Sequence, residues 1–156
     1  MPVLQSTYSD DLPVAYAGMI GNGETSNRIT RTVETSGGIA FGRPVYRGTG
    51  DHGCTSTVGT LATFLGWTIA TSALAPVAGQ DADEYQQYDN ASILTSGAIY
   101  VTVTGNVDDG AAITIGTGAG AADDIGTTAA DATHIATGWI ADQTVTGGGL
   151  CRIVKR

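Results

Sequence analysis

The apolar positions of this chain fall in short runs rich in Val, Ile, Ala and Thr, punctuated by turns of Gly, Ser, Asn and Asp. Runs of this kind read as strands. They predict strands over 39–47, 63–70, 91–94, 98–104, 111–115, 134–141 and 150–154. In the first, Phe41 and Arg43 share one face of an extended segment, and Pro44, which cannot donate to a ladder, points to an edge or a bulge. In the second, Phe64, Leu65, Trp67 and Ile69 supply the apolar surface. About seven short strands with turn signals between them are the pattern of a small β-sandwich or barrel-like body of antiparallel strands. The expected fold class is all-β.

Residues 1–38 lack this rhythm. They carry polar turns (Ser9-Asp10-Asp11, Gly21-Asn22-Gly23-Glu24) around one apolar patch, Val14 to Ile20, and read as an extended arm ahead of a body spanning 39–156. An arm with Tyr16, Met19 and Ile20 but little core of its own must bury them against the body or another subunit. The acidic stretch 79–90 divides the body and reads as a long loop or one helical turn. Residues 116–132, built of Gly, Ala, Thr and Asp, read as a flexible exposed loop in which Ile125 is the one side chain large enough to anchor it.

Composition sharpens this picture. With 23 Gly in 156 residues and few Leu, Lys and Glu, the chain is poorly suited to helices. Only 14% of residues are charged and the net charge is −8, which argues against nucleic acid, since phosphate binding needs clustered Lys and Arg. The cations are confined to Arg28, Arg31, Arg43 and Arg47 and to the tail Arg152, Lys155 and Arg156. If arm and tail lie on one side, the molecule has a polar axis; otherwise the charges are scattered over a solvated surface. Cys54 and Cys151 do not make a disulfide framework of the small secreted type and are expected to be reduced. Met1-Pro2-Val3-Leu4-Gln5 lacks the features of a signal peptide, and no apolar run approaches the roughly 20 residues needed to span a bilayer. Synthesis in the cytoplasm, with no membrane partner, is the expectation.

No motif carries chemistry. Gly116, Gly118 and Ala121 fit a dinucleotide-binding spacing after an apolar strand, but Asp123-Asp124-Ile125-Gly126 supplies no helix and sets carboxylates where a pyrophosphate would sit. His52-x-Cys54 lacks zinc spacing and a second pair. Asp108-Asp109-Gly110 reads as a hairpin turn, and no alternating calcium loop follows Asp123-Asp124. There is no Gly-x-Ser-x-Gly elbow, and the two His have no partner at a motif spacing. Trp67 and Trp139 sit among apolar neighbours and read as core. No catalytic residue, cofactor or metal is assigned, and the chain does not read as an enzyme.

Three stretches carry a resemblance: Ala15-Tyr16-Ala17-Gly18-Met19-Ile20, Ile39-Ala40-Phe41-Gly42-Arg43-Pro44-Val45-Tyr46-Arg47-Gly48 and Phe64-Leu65-Gly66-Trp67-Thr68-Ile69. Together with Glu84-Tyr85, the run from Ala91 to Val101, Val107-Asp108-Asp109-Gly110 and the closing Gly149-Leu150-Cys151-Arg152-Ile153-Val154, they resemble the tailed-bacteriophage capsid cement, or decoration, proteins. The resemblance implies a virion structural protein made in the host bacterial cytoplasm. It would bind the outside of the expanded head and stabilise it by bridging major capsid proteins. It further implies closed symmetry as a dimer or trimer, with capsid or subunit contacts at Tyr16, Met19, Ile20, Arg28, Arg31, Phe41, Arg43 and Arg47. The competing class is a head-fibre base, tail or adhesin-type module, holding a receptor or glycan on the loop that carries Tyr85 and Tyr88.

Overall fold

The computed structural model describes residues 15–71, 83–117 and 124–156, and among these every regular element is a strand. In chain order they are β1 (Asn27–Val33), β2 (Ile39–Ala40), β3 (Pro44–Arg47), β4 (Gly53–Thr55), β5 (Phe64–Thr68), β6 (Glu84–Tyr85), β7 (Asn90–Val103), β8 (Ala112–Gly116), β9 (Ile125–Gly126), β10 (His134–Ala141) and β11 (Gly149–Lys155). No helix among the described residues is long and apolar enough to cross a membrane.

The organising element is β7, 14 residues long and buried at intervals on both faces. Its first half is shared by β1 and β5, and β1 in turn pairs with β4, so the order β1-β4-β3-β5-β7 closes back on β1. All five strands contribute to one core: Val33, Val45, Cys54, Ala91 and Ile93 are buried, with Ile29 and Leu65 packed against them. The second half of β7 changes partner and runs antiparallel to β11 from Gly97 to Val103. From there the sheet continues through β10 and β8 to β9, whose Ile125 carbonyl accepts the Thr104 N–H just past the end of β7 (3.0 Å). The body is therefore barrel-like in both halves.

The switch between halves falls at Gly97, whose φ of +122° no other residue adopts cheaply and where a Cβ would sit 2.8 Å from Ser26 Cβ. Period-2 alternation sorts the side chains: Ile93 points into the first core, and Leu94 into the second. The second core gathers Ile99, Val101, Ile113, Ile115, Ile125, Trp139 and Ile153 with Trp67 and Ile69. On β10 a bulge between Ala136 and Trp139 keeps Trp139 pointed inward; the buried Thr137 hydroxyl donates to the Ile113 carbonyl (2.7 Å) and accepts the Trp139 N–H (3.1 Å).

Several sequence expectations meet a different arrangement. Asn27–Val33, assigned to the arm, is β1 and pairs with β7 from Asn27 to Thr32. Its Val33 is fully buried, because β1 closes the first barrel. The two strands expected at 91–94 and 98–104 are one, since Gly97 bends β7 without ending it. Pro44 opens a strand flanked by β4 and β5, so it is not on an edge, although a bulge does follow at Val45/Tyr46. Residues 83–90 hold β6 and a turn in place of a helical turn; 72–82 lie outside the described residues, as does the arm before Ala15. Of the Gly-rich loop, 118–123 are likewise outside, and Ile125 is buried in the second core.

Candidate functional site

The residues singled out in the sequence converge in part at the turn joining β2 to β3. Its conformation is set by Thr68, a fully buried threonine whose hydroxyl donates to the Ala40 carbonyl (2.7 Å) and accepts the Arg43 N–H (2.9 Å). The Gly42 N–H donates to the Thr68 carbonyl (2.9 Å) and the Thr68 N–H to the Arg43 carbonyl (3.0 Å). Four hydrogen bonds thus tie the turn to Thr68 of β5, and residues 40–43 stand as a fixed ridge.

The end of the arm locks onto the back of this ridge. Gly18 donates to the Tyr100 carbonyl (2.8 Å), Tyr100 to Met19 (2.9 Å), Gly21 to Ala98 (2.8 Å), and Ala70 to the Gly18 carbonyl (2.9 Å). A Cβ on Gly42 would lie 2.7 Å from Gly18 N, and one on Gly18 would lie 2.8 Å from Ala70 N. Both glycines also have positive φ, +70° and +81°. The two backbones approach this closely only because neither carries a side chain.

In front of that junction lies a cleft of about 470 Å³, lined by Tyr16, Ala17, Ala40, Phe41, Ala70, Thr71 and Asp83. The Phe41 ring packs edge-on against Tyr85 (centroids 5.3 Å, 74°), and Tyr85 is itself fixed by its hydroxyl donating to the Ile69 carbonyl (2.6 Å). The Phe41 N–H donates to the Asp83 carbonyl (3.0 Å). Two smaller grooves flank the ridge, one bounded by Ala17, Gly42, Arg43 and Thr102, the other by Gly38, Pro44 and Ser56. Arg43 borders both, and its partial burial lowers its pKa from the ordinary arginine value. Among the described residues the surface offers apolar walls and isolated charges, which suits recognition.

The structure therefore sets Tyr16 beside Phe41 on the cleft and Arg43 beside Phe41 on the adjoining groove. Tyr16 is 59% exposed beside the cleft. Met19 and Ile20 are half-buried, with Ile20 bridged to Ile99 and packed on the second core, so the arm's apolar patch is largely spent on the body. Arg28 and Arg47 are exposed on β1 and β3 and line none of these concavities. Arg31 reaches the β3–β4 hairpin, donating to the Asp51 carbonyl (3.0 Å) beside His52 Nδ1 (3.4 Å). That hairpin also encloses Glu34, whose carboxylate accepts the Thr49 N–H (2.8 Å), the Thr49 hydroxyl (3.0 Å) and the Gly50 N–H (2.8 Å). The Thr49 N–H is the largest cause holding the Glu34 carboxyl below its usual range, followed by the Gly50 N–H.

Sequence reasoning missed Asp83, Ala70 and the hub Thr68, none of which carries a local signal. The aromatic loop also resolves differently from expectation. Tyr88 is 76% exposed, but Tyr85 is core, because its ring fills the end of the first barrel and its hydroxyl finds a backbone acceptor. Cys54 and Cys151 are free and buried, each thiol pushed up to about 11, chiefly by that burial. Among the described residues no three His, Cys, Asp or Glu are placed to hold a metal ion.

The fold is similar to a chain of the capsid of Myoviridae phage XM1, with a TM-score of 0.67 at 14% identity over 96% of each chain. A weaker likeness, at a TM-score of 0.46 and 13% identity, covers 85% of this chain and 95% of the head fiber gp8.5 N base of bacteriophage phi29. No curated protein sequence matches the chain. The family described as "Structural cement protein (E217 gp24/Pam3 gp6)" matches residues 4–155, nearly the whole length, and the chain belongs to that structural cement protein family.

Proposed function

We propose that this protein binds the outer surface of the expanded phage head through the 40–43 ridge and its cleft, and stabilises the shell by bridging neighbouring major capsid proteins. The observation that carries this reading is that Phe41 shares one cleft with Tyr16 and the adjoining groove with Arg43, on the turn of a cement-family fold. A ridge tied by several backbone hydrogen bonds to β5 and Asp83 loses little entropy on docking. Many copies that bind the expanded lattice and not its precursor stabilise the bound state alone, by mass action. The role is structural, in keeping with the family, and closed symmetry favours a dimer or trimer as the binding unit.

The test is co-sedimentation of purified protein with expanded heads that lack it, with unexpanded heads as control. Saturable binding to expanded heads alone supports the reading, and absence of binding to both forms overturns it.

A further inference from the structure

We infer that the cleft in front of the ridge is a receptor for a single basic side chain, an arginine, presented by the capsid protein. This rests on the proposed capsid binding and specifies the chemistry of the contact. Among the described residues the lining is apolar or aromatic apart from Thr71 and Asp83, and Asp83 is the charged one. Asp83 is exposed, and among the described residues no hydrogen bond or ion pair engages its carboxylate; the bond it accepts from Phe41 uses its backbone carbonyl.

An occupant must therefore be apolar along its stem and cationic at its tip, which is the character of a long basic side chain. Tyr16 and Phe41 both line the cleft and supply aromatic rings for a guanidinium to stack on, and Asp83 accepts its N–H donors. Arginine fits better than lysine: its head is planar and weakly hydrated, and Arg is enriched at protein interfaces where Lys is depleted. The cavity's size, about 470 Å³, accommodates such a side chain with part of the loop that bears it. The protein's net charge of −8 adds long-range attraction for a cation.

The inference is tested by titrating expanded heads with wild type, Asp83→Asn and Tyr16→Ala at several salt concentrations. Both positions are exposed, so folding is checked by the melting temperature, which should be unchanged. The expected result is a loss of affinity on the order of tenfold or more for each variant, with a flatter salt dependence for Asp83→Asn. Heads treated with phenylglyoxal, which blocks arginine, should lose wild-type binding, whereas heads acetylated on lysine should retain it. Wild-type binding that Asp83→Asn leaves unchanged at every salt concentration would overturn the arginine receptor while leaving capsid binding intact. Loss of binding on lysine acetylation alone would overturn the choice of arginine. Failure of wild type to bind at all overturns both readings.

Discussion

Trp67 of β5 and Trp139 of β10 meet edge to face, with ring centroids 6.3 Å apart and planes at 88°. One ring comes from the outer face of the first barrel and the other from the inner face of the second half, and both are fully buried. Phe64 extends the contact, lying edge-on to Trp67 at 5.8 Å. This aromatic chain joins the two halves side chain to side chain, beside the covalent link through β7.

Replacing either tryptophan with leucine should destabilise the protein by somewhat less than the ~3–5 kcal/mol typical of truncating a buried aromatic to alanine. Because the rings touch, the double variant should lose less than the sum, by about 0.5–1.5 kcal/mol. Urea unfolding of the four proteins measures this directly, and strict additivity would mean the rings do not interact.

The Gly18–Gly42 contact sets a second expectation. A methyl group on Gly42 meets Gly18 N at 2.7 Å and also forces a residue with a side chain to φ +70°. Gly42→Ala should therefore cost about 1–3 kcal/mol and push the arm off the ridge. Hydrogen exchange at the Gly18 and Gly21 amides, which are bonded to Tyr100 and Ala98, should accelerate far more than at β10 amides.

Tyr85→Phe removes one oxygen and leaves the Ile69 carbonyl without its 2.6 Å donor. The expected cost is about 1–3 kcal/mol by urea midpoint, with the Phe41 packing retained. A neutral outcome would show that this carbonyl finds another donor.

Acid stability should reveal the hairpin's grip on Glu34. Hydrogen bonds to its carboxylate hold the folded-state pKa below the unfolded value, so this contribution is present above about pH 4.3 and is lost as pH falls through the folded value. Glu24 and Asp131 are shifted the same way, so the informative quantity is the difference between wild type and Glu34→Gln. That difference should shrink as pH falls below about 5, and a constant difference would show that the charge of Glu34 is not what the loop recognises.

Buried thiols give a readout of unfolding. With Cys54 and Cys151 pushed up to about 11 and enclosed in separate cores, neither should react with an alkylating reagent at neutral pH while the protein is folded. Both should become reactive together as denaturant rises.

How much of this was legible beforehand depends on burial. The span His134–Ala141 emerged from the sequence with the bounds the structure has, because alternate side chains point to core and solvent along most of it. β1 was not visible: its sequence is Asn-Arg-Ile-Thr-Arg-Thr-Val, and its one fully buried residue is the last. The short strands β2, β4, β6 and β9 are two or three residues long and exist only through their tertiary partners. At the site, Tyr16, Phe41 and Arg43 stood out through family likeness. Thr68 and Asp83 did not, since the residues they hold lie 25 or more positions away.

The position of β7 in the chain has a consequence for anyone wishing to cut or extend this protein. The elements before it build one barrel and those after it build the other half, yet each needs that single strand as a wall. Neither half is a transplantable module, and a break within Asn90–Val103 deprives both of closure. A cargo fused for display belongs at a turn outside this keel, such as Asp108-Asp109-Gly110, where the chain is exposed and where a Cβ on the glycine would meet nothing.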